Sequence, residues 1–126
     1  MSNLKEIADA AMSQQEKLFK LHEETCAHCL SVMKQKNADY SGGDCDPYSN
    51  FRIASIFELH PVTGILLRVT DKLQRIRAFI KNGVLAVEGE SVDDACDDIV
   101  NYAILMKGLL REERERKQLA KAKAWP

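Results

Sequence analysis

The sequence predicts an all-α fold, a bundle of three long helices and one short one. Three observations lead there. Apolar residues recur three and four positions apart over long stretches, the period of a helix face. Of three prolines, none lies between 62 and 125, which leaves room for two uninterrupted helices. Aromatic residues make up only 6% of the chain, which speaks against a β-sandwich or barrel.

The first helix is expected from about Leu4 to Lys36. Asn3 is a candidate N-cap, with Glu6 three residues on as a capping box. Leu4, Ala8, Ala11, Gln15, Leu18, His22, Cys26, Cys29 and Met33 form its stripe. Residues 37–50 read as a loop, dense in Gly, Asp, Ser, Asn and Pro. A loop of this length in a compact domain is usually functional or disordered. A short helix from Phe51 to Leu59 stops before Pro61. The second long helix is expected over Val62 to Lys81, with Ile65, Leu66, Val69, Leu73, Ile76 and Ile80 as its apolar face. Asn82-Gly83 supplies its stop. The third starts at Ser91, an N-cap with Asp94 at the third helical position, and runs to about Ala120. Val92, Ala95, Cys96, Ile99, Ala103, Met106 and Leu110 are its expected core residues.

Length and charge bound the function. The chain has 126 residues, 45% hydrophobic and 29% charged, and reads as one globular domain over 1–126. The net charge of −1 argues against a non-specific nucleic-acid binder, which needs a basic surplus. No run of about 18 apolar residues is present, so no membrane span is expected. The first residues lack a signal-peptide core, which predicts a cytoplasmic protein. Four cysteines in that setting read as thiols or metal ligands rather than disulfides.

The small net charge hides a split. Six acids and no base lie from Glu88 to Asp98; seven bases and three acids lie from Lys107 to Lys123, most of them in a basic end at 111–126. Asp94 and Asp98 are four apart, and Glu90 lies one turn before Asp94, so these carboxylates can share a helix face. Clustered carboxylates suit Mg²⁺ or Mn²⁺. The same acids also fit a solvated helix start favoured by the dipole. On the second long helix, Asp71, Lys72 and Arg75 punctuate the apolar stripe. Asp71 and Arg75 fit a surface ion pair; Lys72 and Arg75 fit phosphate ligands beside a metal. Cys26-x-x-Cys29 with His22 or His28 hints at zinc but lacks a second pair, and it falls on the core stripe. No phosphate-binding glycine loop is present.

Three segments, K-N-A-D-Y-S-G (36–42), G-I-L-L-R-V-T-D-K-L-Q-R-I (64–76) and E-S-V-D-D-A-C-D-D-I-V-N-Y-A-I-L (90–105), together resemble the phage and prophage nucleotide-modification-associated domain family. That family looks like a divergent branch of the MazG-like all-α nucleoside triphosphate pyrophosphohydrolases. The resemblance implies an oligomeric helical bundle, a dimer or tetramer, that holds Mg²⁺ (or Mn²⁺) against the phosphates of a nucleotide. In a phage-encoded protein the compartment would be the bacterial host cytoplasm. It implies Glu90, Asp94 and Asp98, with Asp71, as metal ligands, and Asp71, Asp94 and Asp98 as catalytic carboxylates. It implies Lys36, Asp39, Tyr40, Lys72 and Arg75 as substrate contacts, with Phe51 a further candidate for the base. The metal would polarise the α–β phosphate and activate water. Better-known pyrophosphohydrolases carry E-E-x-x-E on one helix and E-x-x-D on the next, whereas here Lys72 and Arg75 stand where acids are expected. The alternative expectation is therefore a non-catalytic helical oligomer that binds a nucleotide or a partner protein.

Overall fold

The computed structural model describes residues 2–40, 46–83 and 91–124. Every regular element among them is helical, so the fold is all-α. In order they are α1 (Ser2–Ala11), α2 (Gln14–Tyr40), α3 (Ser49–Arg52) running into a 3₁₀ turn (Ile53–Phe57), α4 (Pro61–Asn82) and α5 (Val92–Ala124).

The helix ends follow local chemistry. Pro61 opens α4, where its missing N–H costs nothing, and the His60 ring Nδ1 accepts from the Val62 N–H at 3.1 Å. Gly83 closes α4 in the left-handed region, φ 76°, as a C-terminal cap. At α5 the Ser91 hydroxyl accepts from the Asp94 N–H at 3.1 Å. The Asp94 carboxylate accepts from the Ser91 N–H at 3.3 Å, a reciprocal capping box.

Other boundaries differ from the sequence reading. The expected first helix is two helices, divided at Met12–Ser13. Ser13 caps α2, its hydroxyl accepting from the Glu16 N–H at 3.1 Å. Ser13-Gln14-Gln15-Glu16 is itself a capping-box sequence, and the continuous stripe masked it. Asn3 lies inside α1 rather than before it. Helix α2 continues to Tyr40 and α3 begins at Ser49, so the connection between them is shorter than expected. The expected short helix is one α turn followed by the 3₁₀ turn. Helix α5 extends to Ala124, carrying the basic segment as helix.

Helices α4 and α5 form an antiparallel hairpin: Lys72 meets Asp98 and His60 meets Glu113 across it. Val62, Ile65 and Leu109 are its buried centre, with Tyr48, Phe51, Val69, Tyr102, Leu105 and Met106 packed around. Helix α2 docks on α5 at one place. There the buried Cys29 thiol donates to the Asp97 carbonyl at 3.6 Å, and the Asn101 amide donates to the Cys29 carbonyl at 3.0 Å. Gly108 lets the Tyr48 ring lie against α5, because a Cβ there would overlap the Tyr48 hydroxyl.

The expected apolar stripes are only partly used, about half on α4 and α5 and least on the first helix. On α4, Ile65 is fully buried and Val69 half-buried, while Leu66, Leu73 and Ile80 are exposed. On α5, Ala95 is buried, but Cys96, Ala103 and Leu110 are exposed; Tyr102, Leu105 and Leu109 take the packed face instead. On the first stripe, Cys29 is buried, while Leu4 and Leu18 lie in the open. No single helix among the described residues is long and apolar enough to cross a membrane. The one consecutive pair that is apolar enough together, Ser49–Phe57 with Pro61–Asn82, is bent by 107°.

Candidate functional site

A cleft of about 410 Å³ opens where α2, the segment around α3, and the α4–α5 hairpin meet. Met33, Lys36 and Asn37 line it from α2. Asp46, Asn50 and Phe51 line it from the α3 side, Arg68 from α4, and Asp98, Asn101, Tyr102 and Leu105 from α5. These positions follow from helix period. Asp98, Asn101, Tyr102 and Leu105 recur three and four apart, so they form one face of α5.

Charge in the cleft is distributed unevenly. Asp98 takes Lys72 at 2.9 Å on one oxygen and Lys36 at 3.7 Å on the other. Its side chain and that of Lys72 are about four-fifths covered, whereas Lys36 is mostly exposed. The Lys36 contact is therefore the looser one. Arg68 lies over the Phe51 ring, 5.5 Å from its centre, and pairs with no carboxylate among the described residues. Its charge is held by a ring face rather than neutralised. The Asn101 Oδ1 is buried with no hydrogen-bond partner among the described residues.

A second charged group pins the floor. Arg52 reaches Asp46 through Nε and Nη2 and Glu112 through Nη1 and Nη2, with Glu112 contacts of 2.8 and 3.0 Å. The Arg52 ring of donors also stacks over Tyr48, 5.6 Å from its centroid. Hydrogen bonds from Arg52 hold both the Asp46 and Glu112 carboxyls below their ordinary range, and the two carboxylates raise Arg52 in turn. This fork ties the segment before α3 to the middle of α5.

The sequence-predicted residues fall into three groups. Lys36, Phe51 and Asp98 line the cleft, and Lys72 reaches Asp98 from its flank. Asp71 and Arg75 pair with each other on α4 at 3.6 Å, with Asp71 well exposed, and neither lines the cleft. Asp94 is occupied in the capping box of α5. Glu90 and the side chains of Asp39 and Tyr40 lie outside the described residues.

The structure thus brings Asp98 together with two lysines, not with Asp71 and Asp94. Among the described residues no three His, Cys, Asp or Glu side chains gather as metal ligands. The donor set present around Asp98 is cationic, so the described residues do not by themselves fit a divalent ion. The Cys26 thiol sits 3.6 Å from His22 Nδ1, but Cys29 is buried against α5, pushed up by burial and then by the nearby Asp97.

Arg68, Tyr102 and Asn101 are among the cleft residues not selected from the sequence. Arg68 lies one turn before Lys72 on the same face, and that i,i+4 spacing was a usable signal. Tyr102 closes the E-S-x-x-D-x-x-x-D-x-x-x-Y pattern. Asn101 carried no local signal, because its role depends on α2 docking 72 residues away in sequence. No family model matches the chain, and neither a curated protein nor a solved structure matches it.

Proposed function

We propose that this protein binds a phosphorylated nucleoside in the cleft between α2 and the α4–α5 hairpin. The observation that carries the reading is Arg68: a cation lying on an aromatic ring at the cleft wall, with no carboxylate opposite it among the described residues. An anionic group entering the cleft meets Arg68 and the loosely held Lys36, and a guanidinium offers phosphate a two-pronged contact. Tyr102 and Phe51 supply aromatic surface for a base, and Asn37 and Asn50 supply amides that can read its edge. A cleft of about 410 Å³ falls within the range of small-molecule sites.

The family resemblance extends this reading to Mg²⁺-dependent pyrophosphohydrolysis. That extension requires carboxylates beyond those gathered among the described residues, so no catalytic step is assigned.

Thermal unfolding of the full chain with a panel of deoxynucleoside mono- and triphosphates, with and without Mg²⁺, tests the binding. A ligand at about 100 times its Kd stabilises the fold by roughly 2.7 kcal/mol, a readily measured rise in Tm. Arg68→Ala should abolish that rise while leaving the ligand-free Tm nearly unchanged. If no nucleotide shifts the Tm at millimolar concentration, the reading fails. Release of pyrophosphate in the same mixtures would identify the hydrolase form.

A further inference from the structure

The middle of α2 carries three groups that the cleft does not use. Cys26 is exposed, and its Sγ lies 3.6 Å from Nδ1 of His22, one turn earlier on the same helix. Cys29 follows one turn later and is 1% exposed. None of the three lines the cleft.

Their surroundings assign them different roles. Exchange with a disulfide begins at a sulfur that solvent can reach, and the attacking form is the thiolate. Cys26 is reachable. The His22 ring, with its proton on Nε2, presents Nδ1 to take the thiol proton. Cys29 cannot meet a reagent first, because its thiol is sealed against α5 and donates to the Asp97 carbonyl. It can meet Cys26. On a helix, Cα atoms three residues apart lie about 5 Å from each other, within the range a disulfide spans. The Cβ atoms of such a pair start farther apart than the bridge needs. The Cys29 sulfur must therefore leave Asp97, and the turn between the two cysteines must give.

We propose that Cys26 and Cys29 form a thiol–disulfide exchange site for a low-molecular-weight disulfide, with His22 as the base, and that closing the bridge loosens α2 from α5. The Cys26 proton passes to His22, and the thiolate attacks one sulfur of the incoming disulfide. That S–S bond breaks, and the first thiol leaves with the proton from His22. The Cys29 thiolate then attacks the Cys26 sulfur of the mixed disulfide, and the second thiol leaves with the Cys29 proton. Two cysteine thiols are oxidised to one disulfide, and the incoming disulfide is reduced to two thiols. In a reducing compartment such a bridge is transient, as in redox-sensing proteins.

The bridge reaches the fold through the docking contact. With its sulfur tied to Cys26, Cys29 no longer bonds Asp97, and the turn that gives is the one whose Cys29 carbonyl accepts from Asn101. Lys36 lies two turns farther along α2, at the cleft wall, and moves with it. The exchange site stands whatever the cleft binds.

Oxidised glutathione and intact-mass spectrometry test the site on the full chain. The expected product is lighter by two hydrogens, and peptide mapping places the bridge between Cys26 and Cys29. Cys29→Ala should stop at a chain carrying one glutathione on Cys26. Cys26→Ala should leave Cys29 unmodified. His22→Gln should slow the first step about tenfold or more near pH 7, and the gap should close near about pH 9, where the thiolate forms unaided. Amide hydrogen exchange should quicken in α2 around Cys29 in the bridged chain and recover when a dithiol reduces it. A bridge mapped to Cys45 or Cys96, or a glutathione that stays on wild-type Cys26, overturns the proposal. So does a His22→Gln rate equal to wild type, or a bridged chain whose α2 exchanges no faster.

Discussion

Along one flank of the α4–α5 hairpin, Lys72 meets Asp98 and Arg68 lies over the Phe51 ring, with Lys36 of α2 at the other oxygen of Asp98. Along the other, Leu66, Leu73 and Ile80 meet solvent. Both flanks come from the same 22-residue helix and are set by the same period. The row between them, Val62, Ile65 and Val69, is the contact that fixes which is which. On the first flank Lys72 has found the Asp98 carboxylate, and Arg68 the face of the Phe51 ring. Apolar groups on the open flank are left in solvent by the described residues. The lesson is that a periodic apolar stripe reports where a helix needs a neighbour, without saying whether that neighbour belongs to the same chain.

The largest break in this comparison comes from the shared row. Ile65→Ala removes a fully buried side chain and should cost about 2–5 kcal/mol, measured by urea unfolding. Leu73→Ala, one flank over, should cost far less in a diluted monomer.

Of intermediate size is the floor of the covered flank. Arg52→Ala should cost about 1 kcal/mol, since Arg52 and Glu112 are more than a third exposed and Asp46 nearly so. It should also flatten the acid limb of the stability profile. Asp46 and Glu112 titrate below their ordinary values in the folded chain. Their contribution is therefore complete above the ordinary carboxylate range, from about pH 5 upward, and is lost as pH falls from that range through their lowered folded-state values. Unfolding midpoints followed from pH 6 to pH 3 should converge for wild type and Arg52→Ala.

The smallest effect is the most informative about the cleft. Asp98→Asn releases Lys36 and Lys72 from their shared carboxylate and should change stability by less than about 1 kcal/mol. If the cleft binds phosphate through its cations, nucleotide affinity without Mg²⁺ rises about threefold to tenfold. If Asp98 is a metal ligand, Mg²⁺-supported affinity falls instead. Calorimetric titration reads the sign directly.

What the sequence made legible tracks how local each cause is. Pro61, Gly83 and the Ser91–Asp94 box act within one turn, and the starts and stops they imply are where the structure has them. Ser13 acts as locally, but Ala11, Gln15 and Leu18 kept the helical period running across it. Lys36 and Asp98 were selected because their residue types and spacing resemble a known pattern, and Phe51 as an aromatic candidate for a base; all three line the cleft. Arg52 to Glu112 and Asn101 to Cys29 span 60 and 72 residues, and no periodicity encodes such a distance. Of the acidic cluster read from the sequence, Asp94 also caps its own helix, Asp98 also pairs with lysines from two other helices, and Glu90 lies outside the described residues.

The docking of α2 on α5 carries its own chemical reporter. Cys29 is sealed in that contact with its thiol pushed up, while Cys26 and Cys96 stand exposed. Alkylating reagents attack the thiolate, so among the described cysteines Cys26 and Cys96 are labelled in the closed chain and Cys29 stays silent. Each Cys29 that does react records one separation of α2 from α5, and with it one opening of the cleft wall. The labelling rate of a single native sulfur thus becomes a stopwatch for the motion that would admit a ligand.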